Sequence, residues 1–222
     1  KQFSCFIMTQ QNQDIKFEAI ERSPEDLAAI LYTSGTTGKS KGAILSHKNL
    51  LSNTKVLEEY WKFTKDDVLL HMLPIYHTHG LFVATNLLAY VGGAMIFLPK
   101  FDIDQAIDWM SKATTMMGVP TFYNRLLNDQ RFDQSLTNHM RLFISGSAPL
   151  LAETHKEFED RTGKKILERY GMTETNMCTS NPYDEERIAG TVGLPLPGVE
   201  LRIADDQGNE IKQGEIGIIE LR

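Results

Sequence analysis

Residues 33–42 read Thr-Ser-Gly-Thr-Thr-Gly-Lys-Ser-Lys-Gly, a run of glycines, hydroxyls and lysines with almost nothing else. Glycine lets a backbone close on an anion, and successive N–H groups form a concave anion site. Thr33, Ser34, Gly35, Thr36, Thr37, Gly38, Lys39 and Lys41 are therefore a candidate phosphate-binding loop. It is not a Walker A loop, which needs four residues between its first glycine and Gly-Lys-Ser. Here only Thr36 and Thr37 intervene between Gly35 and Gly38. On composition alone the same stretch also describes a solvated turn.

Other side chains add polar chemistry. His77 and His79 flank Thr78 and invite a metal reading. Two histidines at i and i+2 do not share a helix face, and no third ligand is evident, so zinc is the weaker alternative. Glu174 offers the hard oxygen that Mg²⁺ prefers, although a lone glutamate is more often a surface residue. Arg125 and Arg169 carry guanidinium forks, which grip carboxylates through paired hydrogen bonds. Cys5 and Cys178 are too few for a disulfide framework and lack metal-ligand spacing.

Several blocks, in order, resemble the acyl-adenylate-forming (AMP-binding) superfamily, and within it the acyl-CoA synthetases. These are the Thr33–Gly42 loop, Pro74-Ile75-Tyr76-His77, Ser145-Gly146-Ser147-Ala148-Pro149-Leu150, Tyr170-Gly171-Met172-Thr173-Glu174-Thr175 and Gly214-Glu215-Ile216-Gly217. The resemblance implies an enzyme that joins a carboxylic acid to AMP from ATP and then passes the acyl group to coenzyme A. It implies that the glycine-rich loop holds the ATP phosphates and that Gly146, Ser147, Ala148, Pro149, Arg169, Tyr170, Gly171 and Met172 line the adenine. Thr173 would bond an α-phosphate oxygen. Glu174, with the Thr36 hydroxyl, would hold Mg²⁺, and His77 would gate or position the reacting carboxylate. The implied fold is α/β, a helix-covered mostly parallel sheet belonging to the large N-terminal domain of such enzymes, followed by a small antiparallel β subdomain.

The acid itself leaves a trace. Glu168-Arg169 precedes the Tyr-Gly-Met-Thr-Glu block, where many fatty-acyl ligases place a small or neutral residue. Arg125 follows Val119–Tyr123, a segment that lines the acyl pocket in relatives. Two guanidinium groups suit a second carboxylate better than an alkyl chain, because a buried charge needs a partner. The blocks at 145–150, 168–174 and 190–200 are similar to those of the malonate-activating branch, the malonyl-CoA synthetases. On that resemblance Thr78 and Met177 crowd the α-carbon side and favour malonate over branched analogues. The alternative is that Arg169 pairs with Glu168 or Glu174 and Arg125 is a solvated helix residue.

These residues need a frame. Apolar runs of strand length alternate with amphipathic stretches of helix length, which predicts a largely parallel sheet with helices on both faces. Strands are expected at Leu27–Tyr32 (buried), Val68–Leu73, Ala94–Leu98, Thr115–Val119, Arg141–Ser145 and Ile166–Tyr170. Helices are expected after the cap Ser46, over Leu81–Tyr90, from Asp102, after Pro120, and over Leu151–Arg161. Residues 1–181 form the expected nucleotide-binding core. From about 182 a small β subdomain begins, in which Val199–Ile203 pairs with Ile216–Leu221 around a turn at 205–209.

The 222 residues are 41% hydrophobic and 23% charged, as in an ordinary globular protein. A net charge of −6 argues against nucleic acid as a partner. Gly80–Pro99 lacks charge, but Gly92-Gly93 and Pro99 break it, so no transmembrane segment is expected. A cytoplasmic location is expected. The chain opens at Lys1 rather than Met, so a lost organellar leader belongs to the expectation; the resemblance implies in addition a C-terminal lid domain, which does not follow Arg222. Two rivals stay open: a medium- or long-chain fatty-acyl-CoA ligase, and a nucleotide-binding module without catalysis.

Overall fold

The computed structural model describes residues 19–33 and 40–222. Its centre is a seven-stranded sheet. Five strands run parallel: β3 (Val68–His71), β4 (Ala94–Phe97), β5 (Thr115–Gly118), β6 (Leu142–Ser145) and β7 (Leu167–Met172). Two more continue it antiparallel, β8 (Asn176–Ser180) and β9 (Leu194–Pro195), giving the order β4-β3-β5-β6-β7-β8-β9.

Neighbouring residues on one strand enter opposite cores, the mark of a sheet buried on both faces. Leu70, Met116 and Phe143 join a cluster with Met110, Tyr123 and Phe158. Leu69, Met117, Leu142 and Ile144 join the other, with Leu57, Trp61 and Leu87. The first core is roofed by α3 (Ile103–Met110), α4 (Pro120–Leu127) and α6 (Ala152–Thr162), the second by α1 (His47–Trp61) and α2 (Asn86–Val91). The short α5 (Gln134–Thr137) precedes β6.

The local signals explain most boundaries. Ser46 and Asn49 form a reciprocal capping box at the start of α1, and Lys62 ends it in the left-handed region. Asp102 caps α3 by accepting from the Gln105 N–H, Pro120 opens α4, and Gly163 closes α6 at φ 68°. An ion pair anchors the second core: Arg141 clasps Asp67 through Nε and Nη2, each at 2.7 Å.

Four departures from the sequence expectations matter. The loop expected to run to Gly42 gives way at Lys41 to an unexpected strand, β2 (Lys41–Ser46), which pairs antiparallel with β1 (Leu27–Thr33). β1 therefore stands outside the main sheet with Ile30 and Tyr32 exposed, not buried; its two-sided apolar pattern suggested burial that the hairpin does not provide. The expected α-helix at 81–90 begins instead as a π-helix, His79–Thr85, before α2. The wider turn is held from inside, because the Gly80 carbonyl accepts from His71 Nε2–H and from the Thr85 hydroxyl, both at 2.9 Å. Finally, Asn176–Ser180 is a buried strand, its polar residues concealed from a periodicity reading by their hydrogen bonds. The main sheet thus continues past residue 182 through β9. A separate antiparallel pair follows, β10 (Leu201–Ala204) with β11 (Ile218–Leu221), in the register Leu201↔Leu221 to Ala204↔Ile218.

Candidate active site

The carboxyl ends of parallel strands are where an open α/β sheet offers a crevice. Here the segments leaving β3, β6 and β7 enclose a cavity of about 600 Å³. His77, Thr78 and His79 come from the segment after β3, Ser147 from the turn after β6, and Arg169, Gly171 and Met172 from β7 itself. The Thr173-Glu174 turn completes the wall, where the Thr175 N–H returns to the Met172 carbonyl at 3.3 Å. Met177 on β8 closes one side, held by Asn53 of α1, whose amide bonds both the carbonyl and the N–H of Met177.

A second cavity of about 330 Å³ adjoins the first. Ser147, Ala148, Pro149, Tyr170 and Gly171 line it, together with Glu168, Gly190 and Val192. Ser147, Arg169 and Gly171 border both cavities. Two adjoining compartments therefore share a wall built from the Ser-Gly-Ser-Ala-Pro and Arg-Tyr-Gly-Met blocks.

Arg169 dominates the electrostatics. Its side chain is buried, and Nε and Nη2 have no hydrogen-bond partner among the described residues. It makes no ion pair with Glu168 or Glu174: Glu168 accepts instead from His155 Nδ1 and from the Gly190 N–H, both at 3.1 Å. Burial presses the guanidinium down to about 10, with the Tyr123 phenol acting weakly the other way. A charged, unpaired fork beside an open cavity is a receptor for an anion.

Gly146 makes room for it. A Cβ there would lie 2.4 Å from Arg169 Cζ, so only glycine lets the guanidinium lie against this backbone. Gly146→Ala is expected to push the fork aside and weaken anion binding about tenfold, the worth of one charge-assisted hydrogen bond. Isothermal titration with malonate as a small anionic probe, alongside a melting curve that stays near wild type, checks this.

The histidines are held neutral. Burial, then the Arg169 charge, lower His77; His77 Nδ1 accepts from the His79 N–H at 3.1 Å, which puts its proton on Nε2. His79 is driven well below the usual imidazole range by burial, then by Arg169, His77 and His71. On the rim, the Thr33 hydroxyl donates to Glu174 Oε1 at 3.4 Å, and Lys41 stands nearby on β2. Glu174 makes no ion pair among the described residues, so its carboxylate is free to hold a hard cation. No group of three or more His, Cys, Asp or Glu among the described residues is arranged as a metal cage.

The structure thus brings together Thr33, Lys41, His77, Thr78, Arg169, Gly171, Met172, Thr173, Glu174 and Met177 in the larger cavity. Ser147, Ala148, Pro149 and Tyr170 fall in the smaller. Ser34, Gly35, Thr36, Thr37, Gly38 and Lys39 lie outside the described residues. Arg125 is not brought in: it is exposed on the last turn of α4, its guanidinium 4.6 Å from the Phe101 ring centroid. α4 turns that residue outward, since its inward positions are taken by Tyr123, Leu126 and Leu127. The sequence reading missed His79 as a cavity residue, because the π-helix that aims it has no signature in apolar spacing. It also missed Gly190 and Val192, which are held at the smaller cavity by bonds from distant segments: the Gly190 N–H to Glu168 at 3.1 Å, and the Thr179 hydroxyl to the Val192 carbonyl at 2.8 Å.

Comparisons with known proteins show the family and the fold. The profile of the family described as AMP-binding enzyme matches residues 4–222. A malonate–CoA ligase of Arabidopsis thaliana is 40% identical over 228 residues, covering 93% of this chain and 37% of that protein. The ATP-bound crystal structure of MatB from Rhodopseudomonas palustris is 62% identical with a TM-score of 0.90, over 93% of this chain and 41% of that one. A malonyl-CoA ligase in a ternary product complex with methylmalonyl-CoA and AMP is 38% identical with a TM-score of 0.83, over 90% and 44%. The chain therefore spans 37 to 44% of the length of these three relatives.

Proposed function

This chain belongs to the AMP-binding enzyme family, and on that premise we propose that it is the nucleotide- and acid-binding part of an ATP-dependent malonate–CoA ligase. The observation that carries the choice of acid is the buried Arg169 guanidinium, with Nε and Nη2 unpaired beside the cavity. A long alkyl chain would leave that charge without a partner, whereas the second carboxylate of a dicarboxylic acid supplies one.

In this reading one carboxylate oxygen of malonate attacks the α-phosphorus of ATP, and pyrophosphate leaves with the bond to the α-phosphate. The sulfur of coenzyme A then attacks the malonyl carbonyl, its proton goes to solvent, and AMP leaves. Adenine occupies the smaller cavity against Ser147, Ala148, Pro149, Tyr170 and Gly171, while Met172 faces the larger cavity and Gly146 backs the Arg169 guanidinium. Thr33 and Lys41, which line the larger cavity, meet the phosphates, and Thr173 donates to an α-phosphate oxygen. Bringing two anions together demands fixed geometry and neutralised charge. Glu174 and Thr36 would hold Mg²⁺, which supplies that neutralisation when bound. His77, neutral with its proton on Nε2, can donate toward the attacking carboxylate and help orient it. Thr78 and Met177, on the cavity wall, limit the bulk allowed at the α-carbon.

Arg125 enters as an outlying cation rather than a direct ligand. It lies exposed over the Phe101 ring, which stacks on Phe122 at 4.4 Å between centroids. Arg125→Ala is therefore expected to cost less than any change at Arg169. Among the described residues no helix is long and apolar enough to cross a membrane. Malonate, ATP and coenzyme A are water-soluble, which supports an aqueous compartment, the cytoplasm in this reading.

ATP–pyrophosphate exchange tests the assignment, measured on the chain extended to the length of its relatives. Malonate should drive exchange well above methylmalonate, acetate, octanoate or palmitate. Exchange with monocarboxylates alone would leave adenylation standing and overturn malonate, in favour of a fatty-acyl ligase. Binding of ATP with no exchange for any acid would favour a module without catalysis.

A further inference from the structure

His79 does something that neither the phosphate loop nor the Arg169 fork explains. Its ring lines the larger cavity, is almost wholly buried, and bonds Ser147 Oγ through Nδ1 at 3.2 Å. Nε2 has no partner among the described residues, and neither do the Thr78 hydroxyl on one side nor Arg169 Nε and Nη2. Buried polar atoms are normally satisfied, so a cluster of bare ones around one cavity marks where a ligand's own polar atoms belong. A ring kept only for packing would be served by phenylalanine.

The surrounding backbone aims the ring. His79 opens the π-helix, whose next residue, Gly80, packs so closely that a Cβ would lie 2.3 Å from the Pro74 carbonyl oxygen. Ser147 is equally fixed, at φ 68° in the left-handed region, and its hydroxyl borders both cavities. Only one proton is available to the neutral ring. If it sat on Nδ1, Nε2 would present a lone pair to an incoming carboxylate. If Ser147 O–H donates to Nδ1, the proton sits on Nε2 and can be given to that carboxylate.

We infer that His79, its tautomer set by Ser147, donates Nε2–H to the distal carboxylate of the acid and is, beside Arg169, a second residue selecting dicarboxylates. This rests on the malonate reading above and adds to it a residue that reads the acid without touching the phosphates. It also makes Ser147 the shared post between the two compartments, bonded to the acid-reading ring on one side and walling the base on the other.

The test uses the chain extended to the length of its relatives, with His79→Phe, which keeps the ring, and His79→Gln, whose amide N–H reaches the Nε2 position. Malonate dissociation constants are measured by calorimetry with a non-hydrolysable ATP analogue, and exchange is compared for malonate and acetate. His79→Phe should weaken malonate roughly 10- to 100-fold, the range for one hydrogen bond to a charged group, and leave the KM for ATP and exchange with acetate nearly unchanged. His79→Gln should recover most of that loss. Equal losses for malonate and acetate, or a glutamine variant no better than phenylalanine with both melting normally, would overturn the inference. If the phenylalanine ring disturbs the fold, His79→Leu against His79→Gln reads the same difference. Wild-type exchange with malonate that His79→Phe leaves untouched sinks His79 alone; no wild-type response to malonate sinks the malonate reading and this inference together.

Discussion

Arg169→Met is expected to abolish malonate-dependent exchange while making the protein more stable. Two consequences of one burial drive the opposite signs. In the folded chain the guanidinium is held down to about 10, by burial first, so its charged form is disfavoured there relative to the unfolded chain. A base with a lowered folded pKa destabilises the fold throughout the range below that pKa, and the penalty fades as pH rises from about 10 toward the ordinary arginine value. Two to three pH units correspond to about 3 kcal/mol, and methionine carries no such cost. The melting midpoint should rise by roughly 5–10 °C for a chain of this size. Malonate binding should fall by about 2–5 kcal/mol, the usual cost of truncating one partner of a buried charge pair. Arg169→Lys should fall between, because an ammonium keeps the charge but not the two-pronged geometry. Calorimetric melting and exchange on the same preparations check both halves. A lower midpoint for Arg169→Met would mean that the arginine is a structural strut and not a receptor.

Asp67→Asn is expected to cost about 3–5 kcal/mol of stability, because it leaves Arg141 partly buried without its counter-charge. The carboxylate is nearly closed to solvent and accepts four hydrogen bonds, from Arg141 Nε and Nη2, the Thr114 hydroxyl and the Thr64 N–H. Arg141 also donates to the Trp61 carbonyl, and its guanidinium lies over Phe63 and Tyr183. One pair thereby ties the end of α1 to the starts of β3, β5 and β6. Burial by itself would raise the Asp67 carboxyl; the bonds from Arg141, Thr64 and Thr114, with the Arg141 charge, outweigh it and hold the group below its ordinary value. A carboxyl lowered in this way adds stability above the unfolded pKa near 4 and loses it as pH falls through the folded value. Melting curves of wild type and Asp67→Asn should therefore converge below about pH 4. A gap that stays constant in acid would show that the bonds, not the charge, carry the effect.

Much of this protein was decided in the sequence itself. The alternation of strand-length and helix-length segments fixes a helix-covered parallel sheet, because apolar runs such as Leu142–Ser145 can be satisfied only between two layers. Caps at Ser46 and Asp102, Pro120 at a first turn and Gly163 after a last one act within a few residues of themselves, so they are legible without any tertiary context. The site blocks are legible for the same reason, each being a short run whose chemistry lies in its own side chains and backbone.

Tertiary structure alone decided which arginine meets the cavity. Arg125 and Arg169 are equal as residue types, but one lies on the outer face of α4 and the other is buried beside the cavity against a glycine 23 residues earlier in the chain. It decided that His79 lines the larger cavity, through a π-helix whose Gly80 carbonyl accepts from His71 on β3. It decided too that β1 leaves the main sheet for β2, since a run apolar on both faces does not say which neighbour will pair with it. Local sequence governs what hydrogen bonds and packing within one element can satisfy; the direction of a buried charge depends on distant segments, and only the assembled chain supplies them.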